Sequence, residues 1–302
     1  MSKIGTAISL IKNNRDEFML QIVRRLNFIL PDKCYIKLFY RYKMGRKLNL
    51  KNPLRFTEKL QWLKLYDRNP LHVTMVDKEK VKTYVSKILG EEYVIPTLGV
   101  WDSFDDIDFD KLPNKFVLKT TNGGGSIGIV ICHDKSKLDL VKTKQNIEKG
   151  LKLNLYRDLR EWPYKGVKPR IIAEQMLEDK SGDLHDYKFY CFNGEPKFLL
   201  VSSNRFTNHN FNYFDLNFQK MDITSAMGGK LDNIIEKPET FEEMKDVVKK
   251  LCEDIPHVRV DLYSCNNHVY FGEMTFFDSS GYDDFNSDEM DLKIGSLLNL
   301  PY

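Results

Sequence analysis

The run Lys115-Phe-Val-Leu-Lys119-Thr-Thr-Asn122-Gly123-Gly124-Gly125-Ser126-Ile-Gly128-Ile-Val-Ile131 decides how the chain is to be read. A short apolar strand ends in a lysine, three glycines follow, and a second apolar strand runs from Ile127 to Ile131. Consecutive glycines let backbone N–H groups approach a ligand that a Cβ would hold away. Such a concavity suits phosphate, and Lys119 adds positive charge at its edge. Gly123, Gly125 and Gly128 satisfy a GxGxxG spacing, but the dinucleotide fingerprint needs a helix directly after the glycines. A β-type run follows instead. A P-loop would need Lys-Ser/Thr after the glycines. A kinase flap would need Val-Ala-Ile-Lys, His-Arg-Asp and Asp-Phe-Gly further on, and none is present. What is left is a strand–loop–strand flap with its phosphate lysine in front of it.

Length and composition bound what surrounds this flap. The chain has 302 residues, 42% hydrophobic and 29% charged, values expected of a globular protein that buries a full core. With 46 basic and 43 acidic residues interspersed, the net charge of +3 gives no case for nucleic acid as a partner. Five scattered cysteines without a CxxC pair point to a reducing compartment and away from structural zinc or disulfides. The start of the chain lacks the apolar core of a signal peptide, and no apolar run is long enough to span a bilayer. A cytoplasmic protein is expected.

Residues 1–75 read as helical and partly basic. Phe18, Met19, Ile22, Val23, Leu26, Ile29 and Leu30 recur at helical spacing up to Pro31, and Pro53 to Leu65 forms a second amphipathic segment. The basic polar face makes a membrane-surface helix the alternative to simple packing on the body. Asp77 is expected to cap a helix of about twelve residues, with Val81, Tyr84, Val85, Ile88 and Leu89 inward and Gly90 as its stop. Lys78 sits in its first turn. Short strands are expected at Val94–Ile95, Phe116–Leu118, Ile127–Ile131 and Ile171–Ala173, with a charged helical stretch over 135–165. A hairpin follows at Phe189–Phe192 and Phe198–Val201 about Asn193-Gly194. Thr240 to Ile255 reads as a helix with a Thr240–Glu243 capping box.

The second informative stretch is Val258-Arg259-Val-Asp261-Leu-Tyr-Ser-Cys-Asn-Asn-His-Val-Tyr-Phe-Gly-Glu273-Met-Thr275. Period-2 alternation puts Arg259 with Asp261 on one face, and Glu273 with Thr275 on one face of the return strand. A turn at Asn266-Asn267 brings Asp261 nearly opposite Glu273. Facing carboxylates repel unless something cationic lies between them. Magnesium is the natural candidate, since it is typically held by one or two carboxylates plus nucleotide phosphates. An ordinary solvated face fits the alternation equally well. Arg259 favours the functional reading, because a cation there can stabilise a transferring phosphoryl group.

In order and spacing these pieces resemble the TupA-like ATP-grasp family, linked to bacterial surface polysaccharides, over residues from about Phe56 to Tyr302. The resemblance implies an α+β ATP-grasp fold, with a helical extension (1–75), a lobe bearing the flap (76–175) and a lobe bearing the metal hairpin (176–302). It implies ATP and Mg²⁺ as cofactors. Lys78 and Lys119 would bind phosphate, and Asn122, Gly123, Gly124, Gly125 and Ser126 would form the flap over it. Glu174 would take the adenine amino group, with the backbone at Gln175 and Leu177 completing base recognition, and Asp186 would be an acidic ribose ligand. Lys188 would contact phosphate or substrate, Arg259 would act in catalysis, and Asp261, Glu273 and Thr275 would hold the metal. Many ATP-grasp ligases carry Glu-x-Asn where this chain has Glu273-Met-Thr275. The helical residues 1–75 also stand where an α/β domain is usual.

The activity implied is an ATP-dependent carboxylate–amine ligase working through an acyl phosphate. It would join an amino acid or other amine to a hexuronic acid of a capsular or cell-wall glycan. Peripheral association with a membrane-bound polysaccharide assembly complex is compatible with that role. Arg205, Asp215, the aromatic segment Phe206–Phe218 and the loop Ser279-Ser280-Gly281 are acceptor-side candidates, with a surface turn as the equal alternative for the first three. The rival activities are a sugar phosphotransferase, a glycosyltransferase and a non-catalytic component of glycan assembly.

Overall fold

The computed structural model describes residues 15–182, 184–203, 210–223, 235–283, 285 and 287–301. The chain opens with α1 (Arg15–Arg25) and α2 (Asp32–Lys43). The helix expected to run to Pro31 stops at Arg25, and Leu26 to Leu30 tighten into turns instead. Pro31 biases Leu30 out of the helical region. Phe28 and Ile29 are also exposed there, so no buried contact holds a further helical turn. α2, which falls in the stretch read only as generally helical, buries Tyr35, Ile36, Phe39 and Tyr40, and Tyr35, Phe39 and Tyr40 build a small aromatic core with Leu20, Val23 and Tyr282.

Three helices follow: α3 (Phe56–Tyr66), α4 (Leu71–Val76) and α5 (Lys80–Leu89). The Asp77 Oδ1 accepts from the N–H groups of Glu79 (3.0 Å) and Lys80 (3.2 Å), and Gly90 ends α5 at φ 118°, as the capping pattern predicts. The expected strand at Val94–Ile95 does not form. Val94 makes only a single parallel bridge to Phe271, and β1 begins later, at Thr97–Trp101.

β2 (Phe116–Thr120) and β3 (Ile129–Cys132) flank the glycine loop, α6 (Leu140–Leu151) and α7 (Leu155–Leu159) supply the helical stretch, and β4 (Ile171–Gln175) completes a four-stranded antiparallel sheet of order β1-β4-β2-β3. β5 (Asp186–Phe192), β6 (Glu195–Ser203), β7 (Asn210–Asp215), β8 (His257–Cys265) and β9 (His268–Thr275) form a five-stranded antiparallel sheet of order β7-β6-β5-β8-β9. Helix α8 (Phe241–Leu251) lies between β7 and β8 in the chain, and α9 (Asp288–Ser296) follows β9.

Asn193 and Gly194 both take positive φ (53° and 73°), giving the tight turn that the β5–β6 hairpin needs. Helix α8 buries Met244, Val247, Val248 and Leu251 as its spacing predicts. Its capping box is not made: the Thr240 hydroxyl pairs with Ser264 at 2.9 Å, and Glu243 accepts from Tyr93 at 2.9 Å. A neighbouring strand therefore outcompetes the local cap.

The large sheet's core takes in Phe56, Leu60 and Leu63 of α3 and Val81 and Val85 of α5, while Phe116, Leu118, Ile147, Ile171 and Ala173 form a separate core under the small sheet. The overall architecture is α+β, as expected.

Candidate functional site

At the glycine loop, burial separates roots from tip. Asn122, Gly123 and Gly128 are buried, whereas Gly125, Ser126 and Ile127 are exposed. The roots are pinned locally: Asn122 Nδ2 donates to the carbonyls of Leu153 (2.9 Å) and Gly150 (3.3 Å), and Thr120 N–H donates to Gly128 O at 3.0 Å. Gly128 has φ +75°, and a Cβ there would lie 2.9 Å from the Gly150 Cα, so strand and helix meet here backbone to backbone. The Asn122 Oδ1 is buried without a hydrogen-bond partner, an acceptor at the root of the flap.

Beneath the flap three lysines converge. Lys119 on β2 pairs with Glu174 on β4 at 2.5 Å, and Lys82 on α5 pairs with the other oxygen of Glu174 at 2.6 Å. Lys78, in the turn before α5, donates to Gly123 O at 2.8 Å and to Glu273 Oε1 at 2.6 Å. One ammonium thus ties the flap root to the large sheet. Lys82, in the first turn of α5, was not among the sequence candidates. Burial pushes the Glu174 carboxyl up, but Lys119 and Lys82 outweigh it and hold the group at about 2. Burial likewise opposes the charge on Glu273, and Lys78 overcomes it, leaving that carboxyl below its ordinary value. The crevice lined by Lys78, Lys82, Val94, Lys119, Glu174, Phe271 and Gly272 is closed by these side chains to about 10 Å³, room for about one water.

The hairpin forms, and a one-residue register shift between Asp261 and Leu262 carries Asp261 past Gly272 to face Glu273. Asn266 and Asn267 both have positive φ (52° and 61°), and Asp261 lies opposite Glu273 with Arg259 opposite Thr275. Because β5 pairs with β8, two rows of side chains cross three strands: Lys188–Asp261–Glu273 and Tyr190–Arg259–Thr275. Asp261 is held by Arg259 (2.7 and 2.9 Å) and by Lys188 at 2.6 Å, while Lys188 also reaches Asp186 at 2.6 Å. Arg259 donates to Thr275 Oγ1 at 3.2 Å and to Asp278, which also accepts from Tyr190. Tyr190 and Asp278 were not among the sequence candidates. Alternation from Asp186 and Lys188 points to Tyr190, but nothing local marks Asp278. Burial opposes charge on Asp261, Arg259 and Lys188 alike. Their mutual attraction prevails, so the carboxyl is lowered and both cations are raised.

The remaining candidates fall at the margins. Gln175 is exposed at the end of β4 with its N–H on Pro96 O at 3.0 Å, and Leu177 follows half-buried. Asp215 closes a turn by accepting from the N–H groups of Asn217 (2.9 Å) and Gln219 (2.8 Å). Tyr213 and Phe214 of the aromatic segment lie in the core, whereas Arg205 and residues 206–209 are outside the described residues. In the loop after β9, Ser279 and Ser280 take left-handed backbone (φ 46° and 54°). Lys64 of α3 secures that loop, reaching Ser280 O at 2.7 Å and Ser280 Oγ at 2.9 Å.

Two antiparallel-sheet units meeting over a lysine-lined crevice beneath a glycine flap define the ATP-grasp class of fold. The family model described as TupA-like ATPgrasp matches residues 58–299, and the chain belongs to that family. No curated protein matches it. Among similar solved structures are D-alanine–D-alanine ligase from Bacillus anthracis complexed with ATP (17% identity, 67% of this chain, 54% of that chain, TM-score 0.38) and L-amino acid ligase from Bacillus licheniformis (14%, 90%, 57%, 0.43). A third is the biotin carboxylase–βγ-ATP complex from Campylobacter jejuni (16%, 82%, 54%, 0.44). The chain spans a little over half the length of each. No helix among the described residues is long and apolar enough to cross a membrane.

Proposed function

We propose that the protein is an ATP-dependent carboxylate–amine ligase. The observation that carries this reading is the placement of Lys78, whose single ammonium touches both the flap root at Gly123 and the Glu273 carboxylate. Family membership supports it. Phosphate held by Lys78, Lys119 and the flap amides would take over the ammonium groups now paired with Glu273 and Glu174. Lys82 stands ready to join them.

The donor set fits a magnesium ion that arrives with nucleotide. Glu273 is half-buried with one ammonium partner, so its carboxylate becomes available once Lys78 turns to phosphate. Asp261 and Thr275 flank it, both already engaged by Arg259. Among the described residues no cluster of three or more acidic, His or Cys side chains forms a metal site on its own. Magnesium typically takes one or two protein carboxylates alongside nucleotide phosphates. When bound, the ion would neutralise charge on the phosphates during transfer.

The reaction balances as two displacements. A substrate carboxylate oxygen attacks the γ-phosphorus, breaking its bond to ADP. A neutral amine then attacks the acyl carbon, the C–O bond to phosphate breaks, and the amine's proton leaves with the inorganic phosphate. Arg259, bonded to Asp261 and Asp278, would stabilise developing negative charge on the transferring group, with Lys188 held beside it by Asp261. Closure of the exposed flap tip would keep water from the acyl phosphate. Glu174, Gln175, Leu177 and Asp186 are kept as the proposed base and ribose contacts. The resemblance supplies the substrate class, a hexuronic acid of a surface glycan joined to an amino acid.

The test is incubation of the full chain with MgATP, a uronate-bearing acceptor and a panel of amino acids, recording nucleotide products and acceptor mass. ADP, phosphate and a gain of one amino acid less water are expected. A gain of one phosphate group would establish the phosphotransferase instead, and nucleotide binding without turnover would make the protein a non-catalytic component. Glu273→Ala should abolish magnesium-dependent turnover, and a fully active variant would overturn the metal assignment.

A further inference from the structure

The N-terminal helices carry a surface that the ligase reading does not use. Residues 15–51 hold ten Lys and Arg against three Asp and Glu, although the whole chain is only +3, so the rest of the protein is net negative. Of those three acids, Asp32 is turned inward onto Arg160 at 2.9 Å. The buried side of α2 is aromatic, and its opposite side presents Lys33, Lys37 and Arg41 to solvent at i, i+4 and i+8. At the turn joining α1 to α2, Phe28 and Ile29 are 76% and 64% exposed, beside the exposed Arg25. Lys33, Lys37 and Lys51 also rim a depression of about 320 Å³ floored by Leu48 and Leu50, with Tyr66 at its side.

Two adjacent, nearly bare apolar side chains are costly to keep in water unless something covers them. Their surroundings say what that is. A second copy of this strongly basic segment would have to overcome its own charge, whereas an anionic bilayer offers both phosphate to the lysines and an apolar interior to the tip. We propose that residues 24–51 dock on the surface of an anionic lipid bilayer. Phe28 and Ile29 enter between headgroups, and Lys33, Lys37 and Lys51 take headgroup phosphates. The geometry is a tip insertion flanked by cations, with no segment crossing the membrane. It brings the enzyme to the membrane face without involving any residue of the crevice, so this proposal and the ligase reading can fail separately.

Cosedimentation of the full chain with vesicles of phosphatidylcholine, alone or mixed with phosphatidylglycerol, tests it. The protein should sediment with the anionic vesicles, remain in solution with the neutral ones, and be released by added salt. Phe28→Ser with Ile29→Ser, and separately Lys33→Glu with Lys37→Glu, should each lower anionic-vesicle affinity about tenfold or more. All four side chains are exposed, so both double variants should melt as the parent does. Equal sedimentation with both vesicle types, no sedimentation with either, or variants that bind as the parent does would overturn the proposal. A dimer in solution that the Phe28→Ser, Ile29→Ser variant abolishes, with no vesicle binding, would make the face a self-interface and overturn it as well.

Discussion

At Glu174 opposing effects act on one carboxyl: burial favours the neutral acid, while Lys119 and Lys82 each favour the anion, and the lysines win. The folded value of about 2 lies below the ordinary 4.5. The stabilisation is therefore complete above the ordinary value and is lost as pH falls toward 2, and it corresponds to roughly 3 kcal/mol. His257 adds to this acid sensitivity, since burial holds its imidazole neutral down to about 4 while Nδ1 donates to Cys191 O at 2.8 Å. In urea unfolding, the parent should lose more stability between about pH 6 and about pH 3 than Glu174→Gln does. Parallel losses would show that the lysine–carboxylate cluster is not formed in solution. Lys64 illustrates the same balance on a cation: burial lowers it to about 7, only partly countered by Glu161, while it bonds to the carbonyls of Leu159 and Ser280. Its bonds help hold the two left-handed serines, each costing about 1–2 kcal/mol in that conformation.

At the level of elements, the large sheet turns a sequence alternation into a working array. Pairing of β5, β8 and β9 aligns Lys188, Asp261 and Glu273 in one row and Tyr190, Arg259 and Thr275 in the next, and a one-residue slip of β8 would set Val260 or Leu262 in place of Asp261 beside Lys188. In the small sheet, the decisive contact is between glycines. Replacing a helical glycine by alanine ordinarily stabilises by up to about 1 kcal/mol. At Gly150 the new Cβ would lie 2.5 Å from the Gly128 Cα, where backbone cannot easily yield. Gly150→Ala is therefore expected to destabilise by roughly 1–3 kcal/mol, read as a lowered thermal midpoint. An unchanged or raised midpoint would show that the flap's outgoing strand does not pack on α6 as described.

Over the whole molecule, the two sheets are joined at the crevice by Lys78 and by the bridge between Val94 and Phe271. With room for about one water left between the lysines, the nucleotide of the proposed reaction would enter only as these contacts rearrange. Lys78→Met should free the flap root from β9, and amide exchange over residues 122–128 should speed up by roughly tenfold. Unchanged exchange would mean that Asn122, through Gly150 and Leu153, holds the flap alone. The helices α1 and α2 close the other side, where Tyr35, Phe39 and Tyr40 pack on Tyr282. Such contacts span most of the chain, which is why the partner of α2 could not be read from its own stretch.

What local chemistry controls could be read directly. The glycine loop between two strands, the Asn193-Gly194 and Asn266-Asn267 turns, the buried face of α8 and Val81 and Val85 of α5 follow from periodicity and from residues that tolerate positive φ, whereas Ile88, expected inward, is exposed. The Asn266-Asn267 turn alone would set Asp261 opposite Gly272; a one-residue register shift beyond Leu262 brings it to Glu273, and the turn carries no record of that shift. The partner of each charge could not be read this way. Lys78 meets Glu273 across 195 positions, Lys64 meets Ser280 across 216, and Thr240 abandons its predicted cap for Ser264. A buried ion pair forms between whichever opposite charges packing brings within a few ångströms in a low dielectric, and sequence spacing carries no record of that distance. The sequence by itself determined the strand–flap–strand and the carboxylate hairpin. Only the packing of two sheets and a helix decided that one lysine would join them.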